Sequence, residues 1–358
     1  MDNFMLNVRD FGAKGDGVTD DTAAIQAAID KAAENKNTVC FPAGVYMCAE
    51  LTLHAGVGLQ GVGNNWGYSF MGGSELRLNR DDAKYLINIT EAMNCMIAGL
   101  CIDGNKRMGK NIHGLYKKGN NKAHKEDSYK IERCRIGGFS GDGVHIEGGW
   151  CYTIRQCNIC NNIGNGILAE ACDGFIIDNW LSGNGEAGFG SYYWCCSTIF
   201  TANRIEWNKK AGIFILCGCD FNFNGNCFDR SGGPGLSLNT GNSHDAMHMT
   251  ITGNIFHRSG AKYEIADTDE DCHLYMKNMK GITCVGNSFY STCDDGGKSG
   301  RISPQYGIII EDMQNTVIKD NVWHHGVTKE FLVDKGGNER CVIKDNLGQV
   351  RIDGDHLG

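Results

Sequence analysis

The chain has 358 residues, a formal net charge of −8, 50 glycines and only 3 prolines. The negative charge argues against a general nucleic-acid binder, because such proteins are usually basic. No apolar run reaches the roughly 18 residues of a membrane span. So much glycine with so little proline indicates many regular turns rather than a flexible linker.

The first predicted element is a short amphipathic helix over about residues 20–34. Side-chain oxygens and negative charge precede it, as helix N-termini favour, at Thr19, Asp20, Asp21 and Thr22. One apolar stripe follows at helical spacing, formed by Ile25, Ala28, Ile29 and Ala32. We expect this helix to cover the open end of a larger β structure.

The chain that follows this helix contains internal repeats, and these indicate the fold class. Asparagines close a recurring strand phrase every 21 to 34 residues, at Asn158, Asn179, Asn203, Asn226, Asn254, Asn287, Asn321 and Asn346. A second phrase, glycine followed by alternating apolar residues, precedes most of them; examples are "GVHIE" (143–147), "GILAE" (166–170) and "GIIIE" (307–311). A unit of this size with two or three strands predicts an all-β, right-handed parallel β-helix, in which each coil stacks on the one before.

The repeat predicts one β-helix domain over residues 1–358. Residues 1–40 form the N-terminal strand and capping helix, and 41–348 form the coils. Three loops are inserted in the coils, at 106–125, 239–248 and 257–273, and a tail follows at 349–358. We expect the asparagines to stack as a hydrogen-bonded ladder.

The 18 cysteines are expected to be free thiols of the core. The N-terminus "MDNFMLNVRD" shows no hydrophobic signal segment, which favours a reducing, cytoplasmic location. "CNIC" (157–160) and "CGC" (217–219) look like half zinc sites, but they lie in strand-like runs and lack a matching second pair. We therefore predict no metal site.

Three stretches resemble the pectate-lyase-like superfamily of single-stranded right-handed β-helices: "VRDFGAKGDGVTDDTAAIQAAIDKA" (8–32), "FPAGVYMC" (41–48) and "IAGLCIDGN" (97–105). That group includes polygalacturonase-type glycoside hydrolases, other β-helix sugar enzymes and phage tailspikes. The resemblance implies carbohydrate as the ligand class, and makes a homotrimer plausible. The consecutive catalytic phrases of the polygalacturonases are absent, so the resemblance does not supply the reaction.

Strand alternation directs two columns of side chains outward from the "G-φ-x-φ-x" strands. Glu147 and Glu170 take the same slot in neighbouring coils, so their backbones should lie about 5 Å apart. Two carboxylates this close form an acid and a base, as in glycosidases. We predict them as the catalytic pair, with His145 as proton shuttle or hydroxyl ligand; two solvated glutamates are the alternative.

Further outward or loop residues are predicted to bind the substrate through aromatic faces and polar edges. They are Tyr192, Phe214, Asn239, His244, Asp245, Tyr275, Lys277 and Glu311. The insertion at 106–125 contains seven Lys or Arg residues, although the chain as a whole is acidic. These residues either attract a carboxylated sugar polymer or belong to an ordinary surface loop.

The predicted function is cleavage or transfer of a glycosidic bond of an oligo- or polysaccharide by paired-carboxylate catalysis. No organic cofactor, nucleic acid or membrane is expected to take part. Three alternatives stay open: β-elimination on a uronate-containing glycan, fructan rearrangement by transglycosylation, and a non-catalytic glycan-binding or phage-tail protein.

Overall fold

The computed structural model describes residues 5–63, 72–119, 126–239, 247–260, 271–291, 304–325, 327 and 329–349. Two compact units divide the chain, Met1–Trp180 (unit 1) and Leu181–Gly358 (unit 2). Both are built from the same coil of three parallel strands, so the predicted right-handed parallel β-helix is confirmed. The assignment of the chain to one domain stays a prediction.

Unit 1 has three walls, each a stack of parallel strands, and each coil contributes a strand to each wall in turn. Wall one contains Leu51–Thr52, Tyr85–Asn88, His113–Lys118 and the first parts of Val144–Arg155 and Ile167–Ile177. Wall two contains Met5–Asn7, Thr38–Phe41, Gly58–Gly61, Met96–Ala98, Tyr129–Glu132 and the second parts of the same two long strands. Wall three contains Asp16–Asp20, Gly44–Cys48, Ser74–Leu78, Leu100–Asp103, Arg135–Gly137 and Asn158–Cys160. The strand Trp180–Ser182 begins at the last residue of unit 1.

Unit 2 repeats the three walls. Wall one contains Phe189–Ser191, Ile213–Ile215, Leu236–Asn239, Cys272–Lys277, Tyr306–Glu311 and Glu330–Asp334. Wall two contains Cys195–Cys196, Ile199–Thr201, Gly218–Cys219, Asn222–Asn224, Met247–Thr252, Lys280–Val285, Val317–Lys319 and Val342–Lys344. Wall three contains Arg204–Glu206, Cys227–Asp229, Ile255–His257, Ser288–Tyr290, Val322–His324 and Leu347–Gln349.

The predicted helix is helix α1, Thr22–Asn35, preceded by a short 3-10 helix, Val8–Phe11. Its apolar stripe is fully buried and α1 packs on strands of walls one and two, as predicted for a cap. Asp20 accepts from the Thr22 N–H at 3.0 Å and stabilises the first turn. The Asp21 carboxylate instead accepts from the backbone N–H groups of Lys14 and Gly15, which fixes the preceding glycine-rich loop.

Inward side chains stack at the spacing of the strands. In wall three of unit 2 the rings of Phe228, Phe256 and Phe289 form a column with centroids 4.8 Å apart at both steps. This equals the separation of neighbouring parallel strands. A coil therefore buries its apolar face against identical positions above and below, which is why the repeat is visible in the sequence.

The asparagine ladder follows one conformational rule. The residue before each ladder position has a left-handed backbone, as at Asp178, Gly225 and Gly286, with φ of 54°, 63° and 68°. Glycine adopts this conformation without steric cost, which explains the repeated Gly-Asn phrase. In unit 2, Asn254 accepts from the N–H and Nδ2 of Asn226 at 2.9 and 3.0 Å. The ladder prediction is confirmed there.

One ladder assignment is wrong by one residue. The position in its coil belongs to Cys157, whose N–H donates to Asn179 Oδ1 at 3.0 Å. Asn158 lies in the following wall-three strand, opposite Arg135. The Cys157 thiol contacts the Ile131 carbonyl at 3.6 Å, while the Asn179 amide donates to the Ile154 carbonyl. Cysteine thus replaces asparagine on the ladder.

All seventeen cysteines in the described part of the chain are free thiols. Eight of them are partly exposed, including Cys217 and Cys219, so the expected place in the core is wrong for these eight. Cys157 and Cys160 are both buried, as expected for core thiols. No helix in the described ranges has the length and apolar character to cross a membrane.

Candidate functional site

A cluster of titratable side chains lies on the outer face of wall one in unit 1. It consists of His113, Asp142, His145 and Glu147, which we call the histidine cluster. Strand alternation buries Val144 and Ile146 completely and turns His145 and Glu147 outward. Asp142 and His113 are contributed by the turn before this strand and by the neighbouring strand.

His145 is held from both sides by carboxylates. Its Nδ1 lies 2.8 Å from Asp142 Oδ2, and its Nε2 lies 3.1 Å from Glu147 Oε1. Asp142 also accepts from the N–H and Nδ2 of Asn165, at 2.7 and 3.0 Å. The side chain of Asp142 is 8% exposed and that of Glu147 is 38% exposed. Asp142 is therefore a fixed support, and Glu147 is the solvent-facing partner.

The pKa shifts in the cluster favour a positive charge on the histidine His145 and negative charges on the carboxylates Asp142 and Glu147. Burial opposes a charge on His145, but the hydrogen bonds and charges of Asp142 and Glu147 outweigh it and raise the His145 pKa. Burial likewise opposes ionisation of Asp142, yet hydrogen bonds from the two imidazoles hold its pKa below the usual range. Despite partial burial, His145 and Lys118 lower the pKa of Glu147. The imidazolium form of His145 is thus stabilised between two carboxylates.

Three members of the cluster are spaced as metal ligands. His113, Asp142 and His145 each offer one ligand atom, and these atoms lie within 4.8 Å of one another. The Nδ1 of His113 faces both the Asp142 N–H, at 3.1 Å, and the Asp142 carboxylate, at 3.3 Å. Its tautomer decides which of the two it bonds. The sequence-based expectation of no metal stays a prediction.

A tyrosine and a lysine of the neighbouring coil complete the outward surface. Tyr116 is in register with His145 and Lys118 with Glu147. The Tyr116 ring lies 5.3 Å from both the Tyr85 ring and the His145 ring, nearly parallel to each. The Lys118 ammonium lies 3.3 Å from Glu147 Oε2. An imidazole, a phenol and an exposed ammonium therefore share one face.

The predicted register of the two glutamates is confirmed, because Glu147 pairs directly with Glu170 in the next coil. Partial burial opposes ionisation of Glu147, but hydrogen bonds and charges from His145 and Lys118 outweigh it and lower the Glu147 pKa. The catalytic roles of Glu147, Glu170 and His145 stay predictions.

The other residues predicted to bind the substrate, where the structure describes them, lie in or directly after the wall-one strands of unit 2. The rings of Tyr192 and Phe214 are 5.2 Å apart, and Asn239 is in register with Lys277. Lys277 donates to Glu311 at 2.9 Å. Beside Tyr192, which is 36% exposed, Tyr193 and Trp194 extend an exposed aromatic run that the strand pattern did not identify; their exposed fractions are 84% and 39%.

Tyr275 differs from its predicted environment. It is only 5% exposed and packs in an apolar cluster with Cys272 and Ile309 on the outer face of the wall. The ring is therefore not presented to solvent as a groove-lining side chain, although the outward direction of its position is correct. His244 and Asp245 lie outside the described residues, as do parts of the 239–248 and 257–273 loops.

The basic side chains that the structure describes in the 106–125 insertion do not form one patch. Lys117 takes an inward position opposite Ile146 and is 3% exposed. Lys118 pairs with Glu147 of the histidine cluster, whereas Lys106 and Arg107 border a separate pocket. The alternation of the strand, which the insertion obscures in the sequence, separates these side chains.

Four residues in and beside the histidine cluster were not predicted from the sequence as site residues: His113, Tyr116, Lys118 and Asp142. The insertion lengthens their coil, so His113 and Tyr116 fall outside the regular repeat. A usable signal was nevertheless present in "HGLYKK" (113–118), which alternates like the other wall-one strands.

Residues 5–237 match the family model described as rhamnogalacturonase A/epimerase, pectate lyase-like. The chain belongs to this family. The N-terminal stretches predicted membership of the pectate-lyase-like superfamily and a right-handed β-helix fold. Both predictions are confirmed.

Curated relatives carry several activities. The chain is 28% identical over 234 residues to depolymerase 1, capsule K30/K69-specific, of Klebsiella phage K5-2, covering 60% of this chain and 29% of the relative. It is 30% identical over 279 residues to mannuronan C5-epimerase AlgE5 of Azotobacter vinelandii, covering 71% and 25%. It is 32% identical over 204 residues to alginate lyase 7 of the same organism, covering 51% and 23%. The chain thus spans less than a third of the length of these relatives.

A solved structure shares the fold over nearly the whole chain. The A-module of Azotobacter vinelandii mannuronan C-5 epimerase AlgE6 aligns with a TM-score of 0.74 at 18% identity, covering 96% of this chain and 99% of the module. The family is carbohydrate-active, and the curated relatives of this chain are named as epimerases, an alginate lyase and a capsule depolymerase.

Proposed function

We propose that this chain acts on a uronate-containing polysaccharide by removing the proton from the carbon that bears the carboxyl group. Epimerisation and β-elimination share this step. The observation that carries the proposal is the His145 imidazole, oriented by the buried Asp142 and flanked by Tyr116 and Lys118. Relatives named as mannuronan epimerases and an alginate lyase support the substrate class.

The roles follow from the charges. Asp142 fixes the Nδ1–H tautomer of His145, so that Nε2 faces the exposed side of the cluster. A raised pKa makes the neutral imidazole a stronger base toward a weakly acidic C–H bond. Lys118 pairs with the substrate carboxylate and offsets the negative charge that develops beside it. Because Glu147 is more than a third exposed, it can leave Nε2 when the sugar enters.

The same two residues, His145 and Tyr116, can complete either epimerisation or β-elimination after the proton is removed. His145 takes the C5 proton, and the electron pair of the C–H bond delocalises into the carboxylate. In epimerisation, Tyr116 Oη returns a proton to C5 from the other face. In elimination, the electron pair forms the C4=C5 double bond, the C4–O4 bond breaks, and Tyr116 Oη protonates O4.

Incubation with polymannuronate in D₂O tests the proposal. We expect deuterium at C5 by NMR in epimerisation, or the ultraviolet absorbance of a C4=C5 double bond in elimination. A neutral glucan is the control, since it has no carboxylate to acidify the C–H bond. Chain cleavage of uronates and glucans alike, with neither exchange nor a double bond, would contradict the proposal.

Hydrolysis by the Glu147–Glu170 pair is the second candidate, because their direct register favours it. Replacing Glu147 by Gln distinguishes the two. Removing its negative charge lowers the His145 pKa. Under our proposal, activity persists and the acid limb of the kcat/KM profile moves to lower pH by about one pH unit. Loss of turnover in both E147Q and E170Q would instead support hydrolysis.

A further inference from the structure

A second concave surface of unit 1 lies where wall three turns toward wall one. This wall-three pocket has a volume of about 420 Å³ and is lined by Arg77, Asp103, Lys106, Arg107, Arg135 and Asn161, among others. The volume is in the range of small-ligand sites and exceeds the needs of a single small anion. It therefore suits a ligand the size of a sugar unit.

The pocket has an excess of positive charge. Four cationic side chains line it, whereas its carboxylates are Asp103 and, behind Arg77, Glu75. Arg77 serves both carboxylates, at 2.5 Å from Glu75 Oε1 and 3.3 Å from Asp103 Oδ2. The formal balance is 4 − 2 = +2. An anionic ligand is therefore favoured.

Both carboxylates of the pocket are buried. Glu75 is 3% exposed and Asp103 is 6% exposed. Desolvation raises the pKa of both carboxyl groups despite the neighbouring arginines. The exposed charges of the pocket are therefore those of Lys106 and Arg107.

Two of the cations are positioned at the rim by the backbone. Lys106 and Arg107 both have left-handed backbones, with φ of 61° and 65°. The Arg107 N–H donates to the Gly138 carbonyl at 2.7 Å, and its Nε donates to the Asn161 carbonyl at 3.2 Å. Among described residues, the Nη groups of Arg107 and the ammonium of Lys106 have no carboxylate partner. They remain available for a planar anion such as a carboxylate.

We propose that the wall-three pocket binds a uronosyl unit of the same polymer that the histidine cluster acts on; this rests on the proposed function. Gly138 lines the pocket and Asp142 belongs to the cluster, so the four-residue turn places them at most about 14 Å apart. The cations bind the carboxylate, while Asp103 and Asn161 accept from sugar hydroxyls. The pocket thereby anchors longer chains beside the reacting unit.

The test compares K106Q/R107Q with K110Q/K130Q. The control removes the same charge from exposed lysines of unit 1 that do not line the pocket. Calorimetry measures the Kd of oligomannuronates from the disaccharide to the octasaccharide, and inorganic phosphate is a second probe. For long oligomers we expect K106Q/R107Q to raise Kd about tenfold, the loss of one charge-assisted hydrogen bond. The difference between the two double variants should be smaller for the disaccharide, because it does not span the pocket and the histidine cluster together.

Three results would overturn the inference. One is equal Kd values in the two double variants at every length. Another is an equal loss at every length, which would indicate general electrostatic attraction. The third is a variant-sensitive phosphate site that long oligomers do not compete for, which would make the pocket a free-anion site. Calorimetry needs no turnover, so binding without C5 exchange would refute only the proposed function, and exchange with normal Kd values would refute only the pocket.

Discussion

Replacing His145 by Gln is expected to lower kcat/KM on a uronate polymer by about 10²- to 10⁴-fold, the usual contribution of a general base. Glutamine keeps polar atoms near Asp142 and Glu147 but cannot accept the C5 proton. The fold should persist, because His145 is on the outer face of wall one and Val144 and Ile146 keep their buried places. Deuterium exchange at C5 measures the effect directly.

The matched control is His54→Gln. His54 is partly exposed and its Nε2 lies 2.8 Å from Asp30 Oδ1, so its loss should leave activity within a factor of two or so. Asp142→Asn is a positioning variant. It should lower kcat and also move the acid limb of the pH profile downward, because the carboxylate that raises the His145 pKa is gone. Wild-type exchange rates in H145Q would remove His145 from the mechanism.

The pH dependence has a definite sign. The base acts when neutral, and its pKa lies above the ordinary 6.5 of histidine. Activity should therefore rise with pH through that higher value and then level off. A general acid of the same pKa would give the opposite slope, so the profile of the unmodified protein distinguishes these roles for His145.

The repeat made the fold and the wall-one register predictable. Glu147 and Glu170 are 23 residues apart and pair directly, because interior packing fixes one residue per position in every coil. Asn158 shows where the pattern failed. Its neighbour Cys157 takes the ladder position, and a thiol in place of an amide hides the phase of that coil.

The chemistry of the site was harder to predict, because it depends on contacts between different coils. His113 meets Asp142 across an insertion that breaks the spacing, and the turn conformation at Asp142 is not encoded in strand alternation. Charge was also hard to predict: Glu147 is ion-paired with His145 and Lys118, and the repeat alone does not identify these partners.

Lys117 provides the clearest case of an inward charge. Its ammonium lies 2.8 Å from Asp127 Oδ1 and 3.2 Å from the Thr90 carbonyl, and the two side chains are 3% and 8% exposed. Asp127 Oδ2 accepts from the Trp150 N–H at 2.7 Å. The pair therefore joins three successive coils of unit 1 in an environment where an unpartnered charge is costly.

Replacing Lys117 by Met should destabilise the protein by about 3–5 kcal/mol, because it leaves the Asp127 carboxylate buried without its cation. Urea unfolding measures the change, and Lys130→Met on the exposed face of wall two is the control. The double variant K117M/D127N should recover part of the loss, since a neutral amide removes the uncompensated charge while its oxygen still accepts from Trp150. A K117M midpoint equal to that of K130M would show that water or a rearranged loop solvates Asp127, and that the buried ion pair contributes little to the stability of these coils.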